Sequence, residues 1–228
     1  MNVDIRDDRF SVTVSGNTVG FMRFVKGSSF TWLAKGRVMN GALIATNYRA
    51  TTTTSKKTQE IHITLANGNV KEFSFVPDRP SDRNRTPVTD AHRRGVHDPL
   101  TALFVQIPGT GDVLTPDDCH TSAAVFDGHV RYDLNFAFKR METVTAEKGY
   151  RGPVVVCAEH IIPVAGYTPE QIKLAQRSSE VAFAPISGTR VLAPFWIKQS
   201  TPLGTLEIEA TTFITEPQPS SNPKTVPR

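Results

Sequence analysis

The sequence lacks any long hydrophobic run. No segment approaches the 18 or more consecutive apolar residues that a membrane-spanning helix needs, so no such helix is predicted. The amino terminus also lacks the basic and then apolar pattern of a secretory signal peptide, because Asp4, Asp7 and Asp8 occupy it. Taken alone, this start predicts a cytoplasmic protein.

Common catalytic and cofactor motifs are absent as well. The sequence contains no G-x-S-x-G, H-E-x-x-H, Walker A or G-x-G-x-x-G pattern, which would place a nucleophile, a zinc ion or a nucleotide phosphate. His92 and His97 lie in a polar, loop-like stretch, and their spacing is unspecific for a metal. We therefore predict no enzymatic activity, no metal and no cofactor.

Concentrated positive charge is also missing. The formal net charge is +4, from 26 Lys and Arg against 22 Asp and Glu, and the basic residues are scattered among acidic ones. A nucleic-acid-binding protein would instead gather its basic residues on one face. Nucleic acid is therefore not expected as a partner.

Cysteine is scarce, with one residue at position 119 and one at position 157. Asp117 and Asp118 precede Cys119, and Cys157 follows an apolar run, so both settings should raise a thiol pKa rather than lower it. Neither cysteine is expected to be a nucleophile, and two distant cysteines do not make a zinc site. Their spacing permits a disulfide without establishing one.

What the sequence does contain is a series of β-strand patterns. Alternation of apolar and polar residues with a period of two marks a strand, and asparagine with glycine marks a tight turn. A hairpin is predicted over residues 9–25 around a turn at Gly16–Asn17, and further strands at 29–35, 43–55, 59–65, 70–76, 131–139, 154–162, 179–185, 189–199 and 203–214. No alternation of strands and helices appears, so the expected fold class is all-β, with long antiparallel strands forming an open barrel or β-spiral.

Two short helices are predicted between the strands. The first spans residues 98–107, with Asp98 as its N-cap and an apolar face of helical period. The second spans residues 168–177 and begins with a capping box. Residues 77–97 should form an exposed, partly mobile loop. One domain is expected over residues 1–214, followed by a disordered, Pro-rich tail at 215–228.

The stretch from Cys119 to Gly166 carries the most distinctive motifs. It reads VFDG, RYDL, GYRGP and PVAG in turn, and SGTRVLAPF follows at residues 187–195. These motifs resemble the domain-of-unknown-function 3108 family of Gram-negative bacteria over about residues 98–213. The resemblance implies a β-spiral protein of the periplasm, and in that oxidising compartment it favours a Cys119–Cys157 disulfide. It also implies that an export signal was lost to a late start or a truncation, with the cytoplasm as the alternative location.

Two sets of candidate site residues follow. The first is a polar cluster with a structural role, in which Asp127 forms a turn, Arg131 and Asp133 lie on the wet side of a strand, and Arg190 pairs with them across strands. The second set would line a lumen. It comprises Leu103, Phe104, Phe136, Phe138, Phe195 and Trp196, with Phe21, Phe24, Phe30 and Trp32 as further aromatic candidates. A packed core is the commoner location for such side chains.

Function is predicted at the level of class. The first hypothesis is a non-enzymatic periplasmic protein that supports the cell envelope by binding a partner protein, a glycan or a lipid, and it depends mainly on the resemblance. The second is a carrier that holds an apolar ligand such as a lipid in its lumen, with the helix at residues 98–107 as its gate. A hydrolase of envelope material is the third, and no nucleophile–base pair supports it. The oligomeric state is left open.

Overall fold

The computed structural model describes residues 1–6, 8–17, 28–78, 82–201 and 204–216, and strands dominate them. The first six strands are β1 (Asn2–Ile5), β2 (Arg9–Asn17), β3 (Ser29–Met39), β4 (Ala42–Thr53), β5 (Thr58–Ala66) and β6 (Asn69–Val76). The others are β7 (Val105–Gln106), β8 (Ser122–Phe126), β9 (Arg131–Thr145), β10 (Lys148–Gly149), β11 (Arg151–Ala165), β12 (Ser179–Pro185), β13 (Val191–Thr201), β14 (Gly204–Glu209) and β15 (Thr212–Phe213). The α-helix α1 spans Pro169–Ala175, and 3-10 turns cover Asp90–Arg93, Thr101–Leu103 and Pro116–Cys119.

Strands β1 to β6 form the first sheet, in which each strand pairs antiparallel with the next along the chain. Asn40–Gly41 joins β3 to β4 and Asn67–Gly68 joins β5 to β6, with positive φ at all four residues. Turns of this kind match the twist of the strands that they connect. The predicted strands from residue 29 to residue 76 are therefore confirmed.

The turn predicted at Gly16–Asn17 is wrong. Both residues belong to β2, where Gly16 pairs with Phe30 and Asn17 pairs with Ser29. A Cβ atom on Gly16 would lie 2.8 Å from Cζ of Phe30, so the missing side chain makes room for an aromatic ring rather than a turn. The second arm predicted at residues 19–24 lies outside the described residues, as do residues 217–228 of the predicted tail.

The second sheet has the order β14–β13–β12–β11–β9–β8, and β7 pairs with the start of β13. The two long strands predicted on either side of residue 149 pair antiparallel, from Arg131 opposite Ala165 to Thr145 opposite Arg151. Along β11, Val154 faces one side of this sheet and Val155 the other, and both are fully buried. A strand that is apolar on both faces has to be covered on both faces.

Two hydrophobic cores result. The inter-sheet core lies between the two sheets and joins Phe10 of the first to Val156 of the second. The outer core lies on the opposite face of the second sheet, where residues 98–120, here named the covering segment, pack side chains such as Val105 over it. The covering segment is therefore essential to burying the second sheet.

The helix predicted at residues 98–107 is wrong. Residues 98–107 make only a 3-10 turn at Thr101–Leu103 and then form β7, which pairs with Val191 and Leu192. Pairing continues where the Ile107 N–H donates to the Arg190 carbonyl oxygen at 2.8 Å. The free edge of β13 thus provides the backbone partners that a helix would have found within itself.

The helix predicted at residues 168–177 is confirmed as α1. The Gln171 N–H donates to Oγ1 of Thr168, and the Thr168 N–H donates to Oε1 of Gln171, which completes the capping box. Arg85, from the mostly exposed stretch at 77–97, donates to Gln171 Oε1 and to the Gly166 carbonyl oxygen at 2.7 and 2.8 Å. The start of α1 thereby anchors part of that stretch.

The all-β class is confirmed, and the pairings are antiparallel except for the short β10–β15 pair and one isolated bridge. Each sheet of the described residues runs from one edge strand to another and does not close into a barrel. A backbone link joins the sheets, since the Val96 N–H donates to the Gly68 carbonyl oxygen and the His97 N–H to the Ala124 carbonyl oxygen, both at 2.7 Å. The link holds the β5–β6 turn beside β8.

Candidate binding cavity

A cavity of about 750 Å³ lies between the first sheet and the turn that connects β8 to β9. Strands β3 to β6 supply half of the residues that line it, and Pro99 of the covering segment and Tyr132 of β9 are among the others. Pockets for small molecules usually measure about 300–1,000 Å³. The cavity therefore has the size of a site for a small ligand.

The floor of the cavity is a row of side chains in register across four strands. Trp32 pairs with Ala50, Ala50 with Ile61, and Ile61 with Phe75. All four line the cavity. Since cross-strand partners point to the same face of a sheet, these side chains form one continuous apolar surface.

The rows on either side of this floor differ in polarity. On the inner side, Tyr48 pairs with Ile63, and both are buried in the inter-sheet core. On the outer side, Thr52 pairs with Gln59, and Lys57 lies beyond them just before β5. The surface therefore changes from apolar on the inner side to polar on the outer side. The cavity-lining residues Thr52, Gln59, Lys57 and Asp78 of that side are here named the mouth.

The wall opposite the floor is the β8–β9 turn. The Asp127 carboxylate accepts hydrogen bonds from the N–H groups of His129 and Val130, both at 2.7 Å, and these bonds fix the turn. Gly128 has φ +98, and a Cβ atom there would lie 2.8 Å from Cγ2 of Ile61. Glycine is therefore needed both for the backbone conformation and for the close approach to the floor.

Three tyrosines interact electrostatically with Asp127. Burial raises the pKa of the Tyr132 hydroxyl far above its usual range, and the charge of Asp127 raises it further. Burial likewise raises the pKa of the Tyr48 hydroxyl, with contributions from Asp98 and Asp127, and the pKa of Tyr167, with a contribution from Asp127. The three phenols therefore stay protonated near neutral pH, and Tyr48 and Tyr132, which line the cavity, offer it neutral hydrogen-bonding groups.

Asp98 begins the covering segment, directly before the cavity-lining Pro99. Its Oδ1 accepts hydrogen bonds from the N–H groups of Leu100 and Thr101 at 3.0 and 2.9 Å, whereas Oδ2 has no hydrogen-bond partner among the described residues. Burial raises the pKa of this carboxyl, and the hydrogen bonds from Thr101 and Leu100 offset that only in part. An ionised Asp98 therefore destabilises the folded state.

We expect the Asp98→Asn substitution to abolish the contribution that the Asp98 carboxyl makes to the pH dependence of the free energy of unfolding. The folded carboxyl has a pKa above the ordinary value of 3.8, so the folded state binds this proton more readily and stability falls as the pH rises between the two values. Urea unfolding of both proteins between about pH 4 and pH 8 measures the effect. The wild type should gain stability relative to the Asp98→Asn variant as the pH falls.

Asp112 is exposed, so the Asp112→Asn variant controls for the general effect of removing one carboxylate on stability. A difference in unfolding free energy between the wild type and the Asp98→Asn variant that stays constant over this pH range would contradict the prediction. Both variants keep a side chain of nearly the same shape, so neither should create a cavity in the core.

The six residues predicted to line a lumen do not lie together, and none of them lines the cavity. Phe104, Phe195 and Trp196 belong to the inter-sheet core, Leu103 and Phe136 pack in the outer core, and Phe138 is exposed. Phe195 and Trp196 are consecutive yet share one core because a β-bulge in β13 shifts the register, so that Phe183 pairs with Pro194 and Ala182 with Trp196. Alternation alone would have placed them on opposite faces.

Among the further aromatic candidates, Trp32 lines the cavity and its ring packs against Phe30, with centroids 5.2 Å apart. Phe21 and Phe24 lie outside the described residues. Sequence reasoning missed Ile61 and Phe75 as site residues. Their alternation was visible within each predicted strand, but only the register between strands brings them into one row with Trp32.

The four residues of the predicted polar cluster do not form one cluster in the structure. Asp127 fixes the β8–β9 turn, and Arg131 forms an ion pair with Asp133 at 2.7 Å. The expected cross-strand pairing of Arg190 with these residues is not observed. Its guanidinium instead donates to the carbonyl oxygens of Ile107, Pro108 and Gly111, at 3.0, 3.1 and 2.8 Å. The planar fork of arginine suits several acceptors at once, so Arg190 holds the covering segment in place.

The predicted disulfide between Cys119 and Cys157 is confirmed, with Cα atoms 5.5 Å apart. Both cysteines are fully buried in the outer core. Cys119 ends the 3-10 turn Pro116–Cys119 and Cys157 lies within β11. The bond therefore ties the covering segment to the middle of the second sheet.

No helix among the described residues is long and apolar enough to cross a membrane, and in the same residues no three His, Cys, Asp or Glu side chains are grouped to hold a metal ion. Fold and cavity together define a disulfide-bonded, all-β protein with a ligand-sized cavity beside its inter-sheet core. More specifically, residues 1–211 match the model of the family described as "Protein of unknown function (DUF3108)", and the chain belongs to this family. No curated protein and no solved structure matches the chain significantly.

Proposed function

We propose that this protein is a non-catalytic binding protein that holds the apolar part of a small amphiphilic ligand in its cavity. The observation that carries the proposal is the continuous apolar floor of Trp32, Ala50, Ile61 and Phe75, which gives way to polar side chains at the mouth. Ligand sites commonly combine apolar walls with a few polar groups that orient the ligand. A carrier of a lipid-like molecule therefore fits the geometry best.

The dimensions of the floor favour a single alkyl chain. Its four side chains span three strand spacings of about 4.8 Å, or roughly 14 Å in all, and the row is one side chain wide. The cavity volume of about 750 Å³ is compatible with one such chain and its head group. Burial of the chain would contribute about 25 cal/mol per Å² of apolar surface removed from water.

The polar groups around the cavity support binding without chemical turnover. Asp127 already accepts two backbone hydrogen bonds, and the tyrosines beside it stay protonated because their pKa values are raised. A hydrolytic mechanism needs an activated nucleophile and a base in hydrogen-bond contact. The two cysteines are joined in a disulfide and cannot serve as that nucleophile.

The proposed compartment is the periplasm. Disulfides persist in oxidising compartments and are uncommon in the cytosol, so the buried Cys119–Cys157 bond supports a location outside the cytoplasm.

For the finer fold, we propose an open spiral of two sheets. The backbone link through Val96 and His97 supports it, because it continues hydrogen bonding from one sheet to the other.

Support of the cell envelope through a protein partner is the second candidate. Strand β14 is an edge of the second sheet, and its apolar side chains Leu206 and Ile208 are 47% and 55% exposed. Unpaired strand edges can accept a strand from another chain. The observation favours a partner at this edge, and a role in the envelope stays a prediction.

The carrier proposal is tested by narrowing the cavity. Ala50→Leu places a larger side chain in the floor, and Thr51→Leu places the same side chain on the opposite face of β4 as a control. Trp32 lies in the floor and reports occupancy through its fluorescence during titration with the neutral amphiphile monolauroylglycerol below its micelle concentration. We expect saturable binding by wild type and the Thr51→Leu variant, and affinity at least tenfold lower, or about 1.4 kcal/mol, for Ala50→Leu.

Circular dichroism and thermal unfolding establish that both leucine variants are folded before the titration. A Trp32→Phe variant should lose the fluorescence response while keeping the binding heat in calorimetry. Equal affinity of Ala50→Leu and wild type, or no saturable binding by wild type, would overturn the proposal.

A further inference from the structure

Two opposite charges line the mouth of the cavity. Lys57 lies just before β5 and Asp78 lies just after β6, and these two strands are neighbours in the first sheet. Both side chains are exposed. Neither takes part in an ion pair with another described residue, although both line the same cavity. The mouth therefore offers one cation and one anion to a ligand.

The position of Lys57 is fixed by its turn. Oγ1 of Thr54 accepts hydrogen bonds from the N–H groups of Lys56 and Lys57 at 3.3 and 3.2 Å. The Thr54 N–H also donates to the Lys57 carbonyl oxygen at 2.8 Å. These hydrogen bonds already order the backbone at Lys57, so less conformational entropy is lost when Lys57 binds a ligand.

On the other side of the mouth, Asp78 follows Pro77, which itself lines the cavity. Glu60 pairs with Val76, so antiparallel register carries β5 and β6 outward together towards Lys57 and Asp78. The two charges consequently lie on the same outer side of the apolar row. A ligand whose chain lies in the row and whose head group leaves it on that side would meet both charges.

From this arrangement we infer that the ligand is a single-chain amphiphile with a zwitterionic head group, whose anionic group lies near Lys57 and whose cationic group lies near Asp78. The inference depends on the proposed carrier function and specifies its ligand class. A purely anionic head group would meet Asp78 as well as Lys57, and like charges at close range are unfavourable. A neutral head group would leave both charges unused. Only a zwitterion complements both.

The experiment compares three amphiphiles that share one lauroyl chain. They are lauroyl lysophosphatidylethanolamine, which is zwitterionic, lauroyl lysophosphatidylglycerol, which is anionic, and monolauroylglycerol, which is neutral. Each is titrated into the full chain below its micelle concentration, with tryptophan fluorescence as the readout. We expect the zwitterionic compound to bind about tenfold more tightly than either of the others, with a preference that weakens as salt is added.

Substitutions at the mouth identify the groups responsible. Lys57→Gln and Asp78→Asn should each weaken binding of the zwitterionic amphiphile about three- to tenfold and leave binding of monolauroylglycerol unchanged. Lys56→Gln is the matched control, because Lys56 belongs to the same turn but does not line the cavity. It should change none of the three affinities. Exposed positions such as these seldom affect folding.

The outcomes separate this inference from the carrier function. If all three amphiphiles bind with equal affinity, or if Lys57→Gln behaves like Lys56→Gln, the inference about the head group is wrong while the carrier function stands. If none of the three binds saturably, the carrier function is overturned and the head-group inference with it.

Discussion

Replacing both Cys119 and Cys157 with alanine is expected to lower the free energy of unfolding by about 4 kcal/mol. The disulfide closes a loop with a sequence separation of 38 residues. The entropy that this cross-link removes from the unfolded chain corresponds to about 4 kcal/mol for a loop of that length. Domains of ordinary stability unfold at a cost of about 5–15 kcal/mol, so the loss is a large share of the total.

The structure also says where the loss should be visible first. Without the bond, the covering segment is held by β7 and by the three hydrogen bonds of Arg190. Amide hydrogen exchange should therefore increase in residues 98–120 more than in the first sheet. Urea unfolding measures the free energy, and wild type with reductant provides a second comparison. A loss below about 1 kcal/mol would contradict the loop-entropy argument.

The second large effect is expected for Gly36→Ala. Gly36 pairs with Ala45 at a β-bulge between β3 and β4. A Cβ atom on it would lie 2.0 Å from the carbonyl oxygen of Ile44 and 2.6 Å from a ring carbon of Phe10. The nearest obstacle is backbone, which cannot rotate away as a side chain can. We expect a loss of about 3 kcal/mol in the free energy of unfolding, at the upper end of overpacking effects.

Gly111→Ala is the matched control for this substitution. Gly111 lies in an exposed part of the covering segment, and an added Cβ atom would meet no other atom within 4 Å. Its effect on stability should be small, because only the freedom of the unfolded chain changes. Urea unfolding of both variants gives the comparison, and equal stabilities of the Gly36→Ala and Gly111→Ala proteins would refute the steric argument.

Much of the secondary structure could be predicted from the sequence. The rule that asparagine with glycine marks a tight turn holds at Asn40–Gly41 and Asn67–Gly68, because these residue types adopt the positive φ angles that a tight hairpin needs. The strands that correspond to β9 and β11 and the capping box of α1 were also predicted, since strand periodicity and a capping box are each read from residues close in sequence. Local signals of this kind are complete within a short window.

The failures occurred where the decisive partner was distant in sequence. Gly16 looked like a turn residue, but the ring of Phe30 on the next strand accounts for it. The stretch at residues 98–107 has the apolar spacing of a helix, yet the edge of β13 makes part of it a strand. Arg190 was assigned to acidic partners and instead binds carbonyl oxygens of the covering segment.

The candidate site shows the same division. The sequence by itself determined the all-β class, because strand periodicity can be read along one chain, and its motifs indicated the family. The pairing of Cys119 with Cys157 was implied by that family resemblance and is confirmed by the structure. Only the tertiary structure decided that Trp32, Ala50, Ile61 and Phe75 form one floor, with Lys57 and Asp78 at its mouth. The reason is register, since a shift of one residue between neighbouring strands would turn each of these side chains to the opposite face of the sheet.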